Sequence, residues 1–145
     1  MAKLYESTCY CTNLRRGAGA VTDFYDAALK EAGLTVSQYY LLKNLSRLGK
    51  ANVTHWAERV GLDRSTMVRN IRLLSTRGLV EETEGHGKAY TLSAEGEHTL
   101  EKAVLIWEQM QEKMEQFLGK EDAAAILRIG SKLQSLEYGV FKEKD

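Results

Sequence analysis

Apolar residues recur at three- and four-residue steps along most of the chain, the spacing that places them on one face of an α-helix. The first helix is predicted from about Cys9 to Ala32. Its apolar face comprises Leu14, Ala18, Val21, Tyr25 and Leu29. Proline is absent, and glycine marks the ends of the helical patterns at Gly33, Gly49, Gly61, Gly78 and Gly119. The chain is therefore predicted to be a series of helices.

Two short helices are predicted next. The first covers Ser37 to Leu48. Its predicted inward positions are Tyr40, Leu41, Leu45 and Leu48. The second is expected to begin after the cap residue Asn52, end at Gly61 and bury Trp56 and Val60.

A further helix, from the cap residue Asp63 to about Arg77, is expected to bury Val68, Ile71 and either Leu73 or Leu74. The period then changes from helical to strand-like. The runs Leu79 to Thr83 and Lys88 to Leu92 flank Gly85-His86-Gly87, which predicts a β-hairpin with a flexible tip.

Two helices complete the predicted order, and the first of them is capped by Ser93. It continues almost to Gly119 with an apolar stripe at Leu100, Val104, Trp107, Met110 or Gln111, Met114 and Phe117. The last helix carries Ile126, Ile129, Leu133, Leu136 and Val140. These stripes exceed what a small core could cover, so we expect them to pack against a partner chain.

Three short helices followed by a hairpin form the winged helix-turn-helix plan, in which the last short helix enters the DNA major groove. The predicted fold class is mainly α with a small β-hairpin wing (α+β). With 145 residues, the chain suits a single domain. We expect residues 34–92 to form the DNA-binding part, and residues 1–33 and 93–145 to form a helical dimerisation part.

Positive charge is concentrated on one helix although the formal net charge of the chain is zero. Residues 63–77 carry four arginines against a single acidic residue, Asp63. The arginines are Arg64, Arg69, Arg72 and Arg77. Ser65, Thr66 and Asn70 add hydrogen-bonding side chains in the first two turns. This pattern favours a polyanionic partner such as double-stranded DNA, and the alternative is a solvated helix face that makes ordinary ion pairs.

The segments THWAERVGLDRSTMVRNIRLLSTRGLVE and AYTLSAEG resemble the multiple-antibiotic-resistance regulator (MarR) family of transcription regulators. The resemblance covers nearly the whole chain. It implies a homodimer whose terminal helices interlock and whose two winged parts read a pseudo-palindrome. It also implies that the principal base readers are Ser65, Thr66, Arg69 and Asn70. Arg64 and Arg72 would lie beside them, and Arg77 would lie near the DNA backbone.

The predicted wing departs from that family, whose wing usually carries an aspartate and arginines at its tip. Here the hairpin reads EETEGHGKAY. Its glutamates would repel phosphate, which leaves His86 and Lys88 as the candidate DNA contacts. We therefore expect a shorter wing and a weaker minor-groove contribution than is usual in the family.

Thiol oxidation is one candidate for the regulatory signal. Some family members sense organic hydroperoxides through a cysteine on the first helix, and Cys11 matches that position, with Tyr25 as a candidate partner 14 residues later. Arg15 and Val36 stand where that branch tends to carry tyrosines. Cys9 lies two residues from Cys11, a poor spacing for a mutual disulfide on a helix. The alternatives are that both cysteines are inert or that they lie in the subunit contact.

A small aromatic or phenolic effector is the other candidate signal, because such ligands are common in the family. Tyr25, Tyr39, Tyr40, Trp56 and Trp107 could line its pocket, and Arg15 or Arg16 could meet an anionic group. Aromatic residues at helical spacing are also typical of an ordinary core.

Other functional classes find little support. The sequence lacks a phosphate-binding glycine loop, a nucleophile elbow and a zinc-protease helix, so we expect neither an enzyme nor a cofactor. The histidines show no recognised metal-ligand spacing. No membrane span or export signal is recognised, so a cytoplasmic location is expected. A winged-helix module that binds protein instead of DNA remains the alternative function.

Overall fold

The computed structural model describes residues 6–85 and 87–136. His86 and Val140, both singled out above, lie outside the described residues. The helices and strands, in chain order, are α1 (Tyr10–Leu29) with a 3₁₀ turn (Lys30–Ala32), α2 (Val36–Leu48), β1 (Ala51–Asn52), α3 (Val53–Val60), α4 (Arg64–Thr76), β2 (Val80–Thr83), β3 (Ala89–Leu92) and α5 (Ala94–Gln134). The predicted fold class, mainly helical with a small antiparallel sheet, is confirmed.

Local side-chain caps fix where the three short helices begin. Asn52 accepts a hydrogen bond from the His55 amide at 2.8 Å, and Asp63 accepts one from the Thr66 amide at 2.8 Å, as their sequence positions predicted. Helix α2 starts one residue earlier than expected, because Thr35 and Gln38 form a reciprocal capping box.

The wing belongs to a three-stranded antiparallel sheet with strand order β1-β3-β2. Strands β2 and β3 form the predicted hairpin, and β1 pairs Ala51 with Tyr90 on the other edge of β3. Ser93 donates a hydrogen bond to the Gly78 carbonyl and accepts one from the Gly96 amide, so the end of the wing is joined to the start of α5. The sequence did not predict β1, because two residues are too few to show a strand period.

The core lies under α2, α3 and α4, and seven large side chains in it are fully buried. They are Leu29, Leu41, Leu42, Leu45, Trp56, Met67 and Leu74. Two predictions about inward positions were wrong. Tyr40 is 50% exposed while Tyr39 is buried, and Val68 is only partly buried while Met67 is fully buried. Leu48 and Val60 are also only partly buried. Leu41, Leu45, Ile71 and Leu74 are buried, as predicted.

The structure consists of two compact units, residues 1–107 and 108–145. In the first unit, α1 buries Tyr25 and Leu29 near its C-terminal end, whereas Leu14 and Val21 are exposed. In the second unit, Gly119 has φ of 81° and interrupts the helical backbone at the predicted stop. Beyond it, five large apolar side chains are exposed, namely Ile126, Leu127, Ile129, Leu133 and Leu136. No helix in the described part of the chain combines the length and hydropathy needed to span a bilayer.

Candidate nucleic-acid interface

Asp63 organises the first turn of α4. Its carboxylate accepts hydrogen bonds from the Thr66 amide at 2.8 Å, the Ser65 hydroxyl at 2.8 Å and the Thr66 hydroxyl at 2.9 Å. These bonds, led by the Thr66 amide and helped by the charge of Arg69, lower the pKa of Asp63 to about 2. Since both hydroxyl protons point at the cap, the Ser65 and Thr66 oxygens present lone pairs to the surroundings. The two hydroxyls therefore act as acceptors in this conformation.

Helix α4 has one buried face and one positive, exposed face. Met67, Ile71 and Leu74 are buried against the core, while Arg64, Arg69 and Arg72 are exposed. The Arg64 guanidinium donates to the Thr54 hydroxyl at 3.1 Å, and that of Arg69 donates to the Thr66 hydroxyl at 3.4 Å. The helix therefore presents three exposed cations, with Arg69 and Arg72 turned away from its packing face and Arg64 at its N-terminal end.

Asn70 and Arg77 are held by neighbouring protein atoms. The Asn70 side-chain amide donates to the Thr66 carbonyl at 2.9 Å, which leaves its oxygen as an acceptor. Arg77, at the C-terminal end of α4, donates to the Gln38 side chain at 3.4 Å and lies against Gly33. Arg77 therefore links the end of α4 to the cap of α2.

In the wing, Lys88 faces acidic neighbours. Its ammonium nitrogen lies 3.9 Å from the Glu82 carboxylate, which also accepts a hydrogen bond from the Tyr90 hydroxyl at 3.2 Å. Burial, and then the charge of Glu82, raise the pKa of Tyr90. Glu81 and Glu84 are exposed. The described part of the wing therefore carries more acidic than basic side chains, in keeping with the weak wing contact expected from the sequence.

A groove of about 310 Å³ lies between the start of α3 and the tip end of the wing, where β3 begins. The residues that line it are Lys50, Ala51, Asn52, His55, Gly87, Lys88 and Ala89. Sequence reasoning did not find it, because the groove depends on β1 bringing Lys50 and Asn52 beside β3. In the sequence, the local signal for this groove is the basic residue Lys50 two positions before the cap residue Asn52.

The candidate redox residues lie on α1. Cys9 caps the helix, Cys11 is in its first turn, and both are exposed free thiols. Hydrogen bonds from the Thr12 hydroxyl and amide lower the pKa of Cys9. Tyr25 is buried on the same helix, about 21 Å further along at 1.5 Å per residue, so one chain does not bring it to Cys11.

The candidate effector residues lie in different environments. Tyr39 is buried and stacks on Trp107 with ring centroids 5.9 Å apart. Trp56 is fully buried in the core and donates its indole N–H to the Leu41 carbonyl at 3.1 Å. Tyr40 is half-exposed, and Arg15 and Arg16 are exposed on α1. Among the described residues, no three histidine, cysteine, aspartate or glutamate side chains are grouped as metal ligands.

Comparison with known proteins identifies the family. The family model described as the MarR family matches residues 32–89. The chain is similar to the transcriptional regulator MosR of M. tuberculosis, whose crystal structure shares 29% identity, with 90% of this chain and 98% of that chain covered and a TM-score of 0.76. A crystal structure of MosR in complex with DNA shares 30% identity over 88% of this chain and 99% of that chain, with a TM-score of 0.72.

A more distant structure supports the fold alone. The transcriptional repressor CouR bound to p-coumaroyl-CoA shares 22% identity, with 89% of this chain and 94% of that chain covered and a TM-score of 0.83. No curated protein matches the sequence. Because MosR is related at 30% identity over almost its entire length, the chain belongs to the MarR family of transcriptional regulators.

Proposed function

We propose that this regulator is a homodimeric repressor that binds a pseudo-palindromic DNA site through α4. The observation that carries the proposal is the exposure of Arg64, Arg69 and Arg72 on a helix whose Met67, Ile71 and Leu74 are buried. Such a helix can enter the major groove with its polar side while its apolar side stays in the core. The crystal structure of MosR with DNA supports this assignment.

The chemistry of each side chain suggests its role at the DNA. A guanidinium such as that of Arg69 can bind guanine O6 and N7 with two N–H donors. Ser65 and Thr66, whose hydroxyl protons go to Asp63, would accept from an exocyclic amino group of adenine or cytosine. Asn70 would offer its oxygen to the same kind of donor. Arg64, Arg72, Arg77, His86 and Lys88 would contact phosphates.

The exposed apolar residues of the terminal helices support a dimer. Leu14 and Val21 on α1 expose large side chains that a single chain leaves uncovered, and so does the cluster from Ile126 to Leu136 at the C-terminal end of α5 and just beyond it. Exposed apolar surface of this extent is typical of a protein interface. A second copy of the chain would bury both groups, and the two α4 helices would then read two half-sites.

Release of DNA by thiol oxidation is one form of regulation that we propose. The lowered pKa of the exposed Cys9 thiol favours the thiolate, which is the reactive form. The thiolate sulfur of Cys9 or Cys11 would attack the O–O bond of a hydroperoxide and form a sulfenic acid, and the alkoxide would leave as the alcohol after taking a proton. A disulfide between the two thiols would require the N-terminal end of α1 to unwind.

Release of DNA by a small-molecule effector is the other form of regulation that we propose. The structure of CouR with bound p-coumaroyl-CoA supports it by analogy of fold. An aromatic effector would lie near Tyr39 and Tyr40 with its anionic group at Arg15 or Arg16. Trp56, which lies in the core, would act only by supporting such a pocket from behind.

Selection of binding sites from a random duplex pool tests the proposal. We expect the purified, reduced protein to enrich a pseudo-palindrome, and Arg69→Ala to lose that enrichment. A hydroperoxide should abolish enrichment for the wild type and leave it intact in Cys9→Ser or Cys11→Ser, whichever residue is the sensor. Failure of the wild type to enrich any sequence under either condition would favour a protein-binding winged-helix module.

A further inference from the structure

The groove between the start of α3 and the tip end of the wing has no role in base recognition as proposed above. Among the described residues that line it, the ionisable side chains are Lys50, His55 and Lys88, and none is acidic. Two ammonium groups and an imidazole around one open cavity of about 310 Å³ favour an anion over an apolar ligand.

One lining residue, His55, is next in the chain to a residue that contacts the start of α4. His55 follows Thr54, whose hydroxyl accepts a hydrogen bond from Arg64 at 3.1 Å. Arg64 is the first residue of α4, the helix proposed to read the DNA bases. An anion in the groove would therefore lie beside the bound DNA, on the α3 side of the base-reading helix.

The groove residues are held in place by the protein backbone. Strand β1 pairs Ala51 with Tyr90 and Asn52 with Ala89, which sets Asn52 beside the end of β3 next to Lys88 and Lys50 further along, toward Thr91. The Asn52 side-chain oxygen is occupied by the His55 amide at 2.8 Å, so its NH₂ group remains the polar group to offer to a ligand. The backbone pairing and the cap therefore hold Asn52 and His55 in place, and the exposed ammonium groups of Lys50 and Lys88 lie at the edges of the groove.

One acidic side chain, Glu82, reduces the positive charge of the groove. Glu82 lies 3.9 Å from Lys88, and both side chains are more than half exposed. An exposed ion pair at this separation contributes little to stability, so Lys88 can leave it for a stronger anion. The Tyr90 hydroxyl continues to hold Glu82 when Lys88 moves.

We propose that this groove binds a backbone phosphate of the DNA next to the bases read by α4, through Lys50, Lys88, His55 and the Asn52 amide. The inference rests on the DNA-binding function proposed above and adds a second contact region to it. A small free anion is a weaker candidate, because small-molecule sites usually enclose most of the ligand and this groove is open.

Binding of the selected duplex at several salt concentrations tests the groove directly. We expect Lys50→Ala and His55→Ala each to weaken binding about threefold to tenfold, equally for all sequences, because phosphates carry no base information. For Lys50→Ala, the slope of log K against log salt concentration should fall by about one. Lys30→Ala, which removes the same charge from the turn after α1, is the matched control and should keep wild-type affinity.

Neutral methylphosphonate linkages, placed one at a time in the duplex, identify the phosphate. At one position per half-site, the neutral linkage should weaken DNA binding by the wild type. The same linkage should not weaken DNA binding by Lys50→Ala any further. Circular dichroism confirms that each variant is folded. The proposal is overturned if the folded variants Lys50→Ala and His55→Ala keep both the DNA affinity and the salt slope of the wild type. That conclusion holds even if inorganic phosphate alone binds in the groove. Failure of the DNA-binding function itself is distinguishable, because the wild type would then select no sequence.

Discussion

At the scale of single residues, Asp63 determines how α4 begins and how its first polar side chains are oriented. Its three accepted hydrogen bonds cap the helix and turn the Ser65 and Thr66 hydroxyl protons inward. The capping role could be predicted from sequence, since an aspartate before an apolar helical pattern is a common start signal. The orientation of the hydroxyls could not, because it depends on the rotamers that the cap selects.

Replacing Asp63 with asparagine should remove a pH-dependent contribution to the stability of the wild type. The pKa of Asp63 in the folded protein is lowered to about 2 from its ordinary value of 3.8, so ionised Asp63 stabilises the fold above about pH 4. That contribution is lost as the pH falls from about 4 to about 2. We expect Asp63→Asn to melt at a lower temperature than the wild type at pH 6, and the two melting temperatures to converge toward pH 2. A constant difference in thermal melts across this range would contradict the role assigned to the carboxylate.

Arg69 and Lys88 should differ in their contributions to DNA binding. Arg69 lies on the exposed face of α4, whereas the positive charge of Lys88 is partly neutralised by its ion pair with Glu82. We expect Arg69→Ala to cost about 1–3 kcal/mol of binding free energy and to relax base specificity, and Lys88→Ala to cost less and leave specificity intact. Fluorescence anisotropy with the selected duplex measures both, and a larger loss for Lys88→Ala would refute this ranking.

At the scale of elements, the boundaries of α3 and α4 were predictable, because the caps at Asn52 and Asp63 and the stop at Gly61 are local signals. The buried faces of the helices were less predictable from the sequence. Tyr39 and Tyr40 are both aromatic and adjacent in the chain, and only packing against neighbouring elements decides which one is buried. Strand β1 escaped prediction because its two residues pair with β3, about 40 residues away.

The contact between the wing base and α5 gives a prediction at this scale. A side chain at Gly96 would collide with the backbone carbonyl of Leu79, whereas one at Gly130 would meet no neighbouring atom in the described structure. We expect Gly96→Ala to destabilise the fold by about 1–3 kcal/mol through overpacking. Gly130→Ala, the matched control, should be neutral or stabilise by up to about 1 kcal/mol through helix propensity. Urea unfolding compares the two variants, and equal stabilities would contradict the close packing at Gly96.

At the scale of the whole molecule, the apolar stripes on the terminal helices predicted that a partner is needed, but the sequence could not identify which residues a single chain covers. Tyr25 and Leu29 are buried within the chain, whereas Leu14 and Val21 on the same stripe are exposed. That difference follows from where α2 packs along α1. It divides the pattern into a core half and a half available for a second chain.

Charged substitutions at the exposed stripe should separate the subunits. We expect Ile129→Asp or Leu133→Asp to give a monomer in sedimentation at micromolar concentration, because an aspartate would have to be buried unpaired in the dimer interface. Lys132→Asp, on the same helix, is the control for added negative charge and should remain dimeric. A wild type that sediments as a monomer would contradict the proposed dimer.

The most direct test of the central claim is hydroxyl-radical footprinting of the wild-type protein on its selected duplex. Two copies of α4, one from each subunit, should protect two stretches about one helical turn, roughly 34 Å, apart on one face of the DNA. Arg69→Ala should remove both protected stretches together. A single protected stretch, or protection spread evenly around the duplex, would contradict a homodimer that reads DNA through α4.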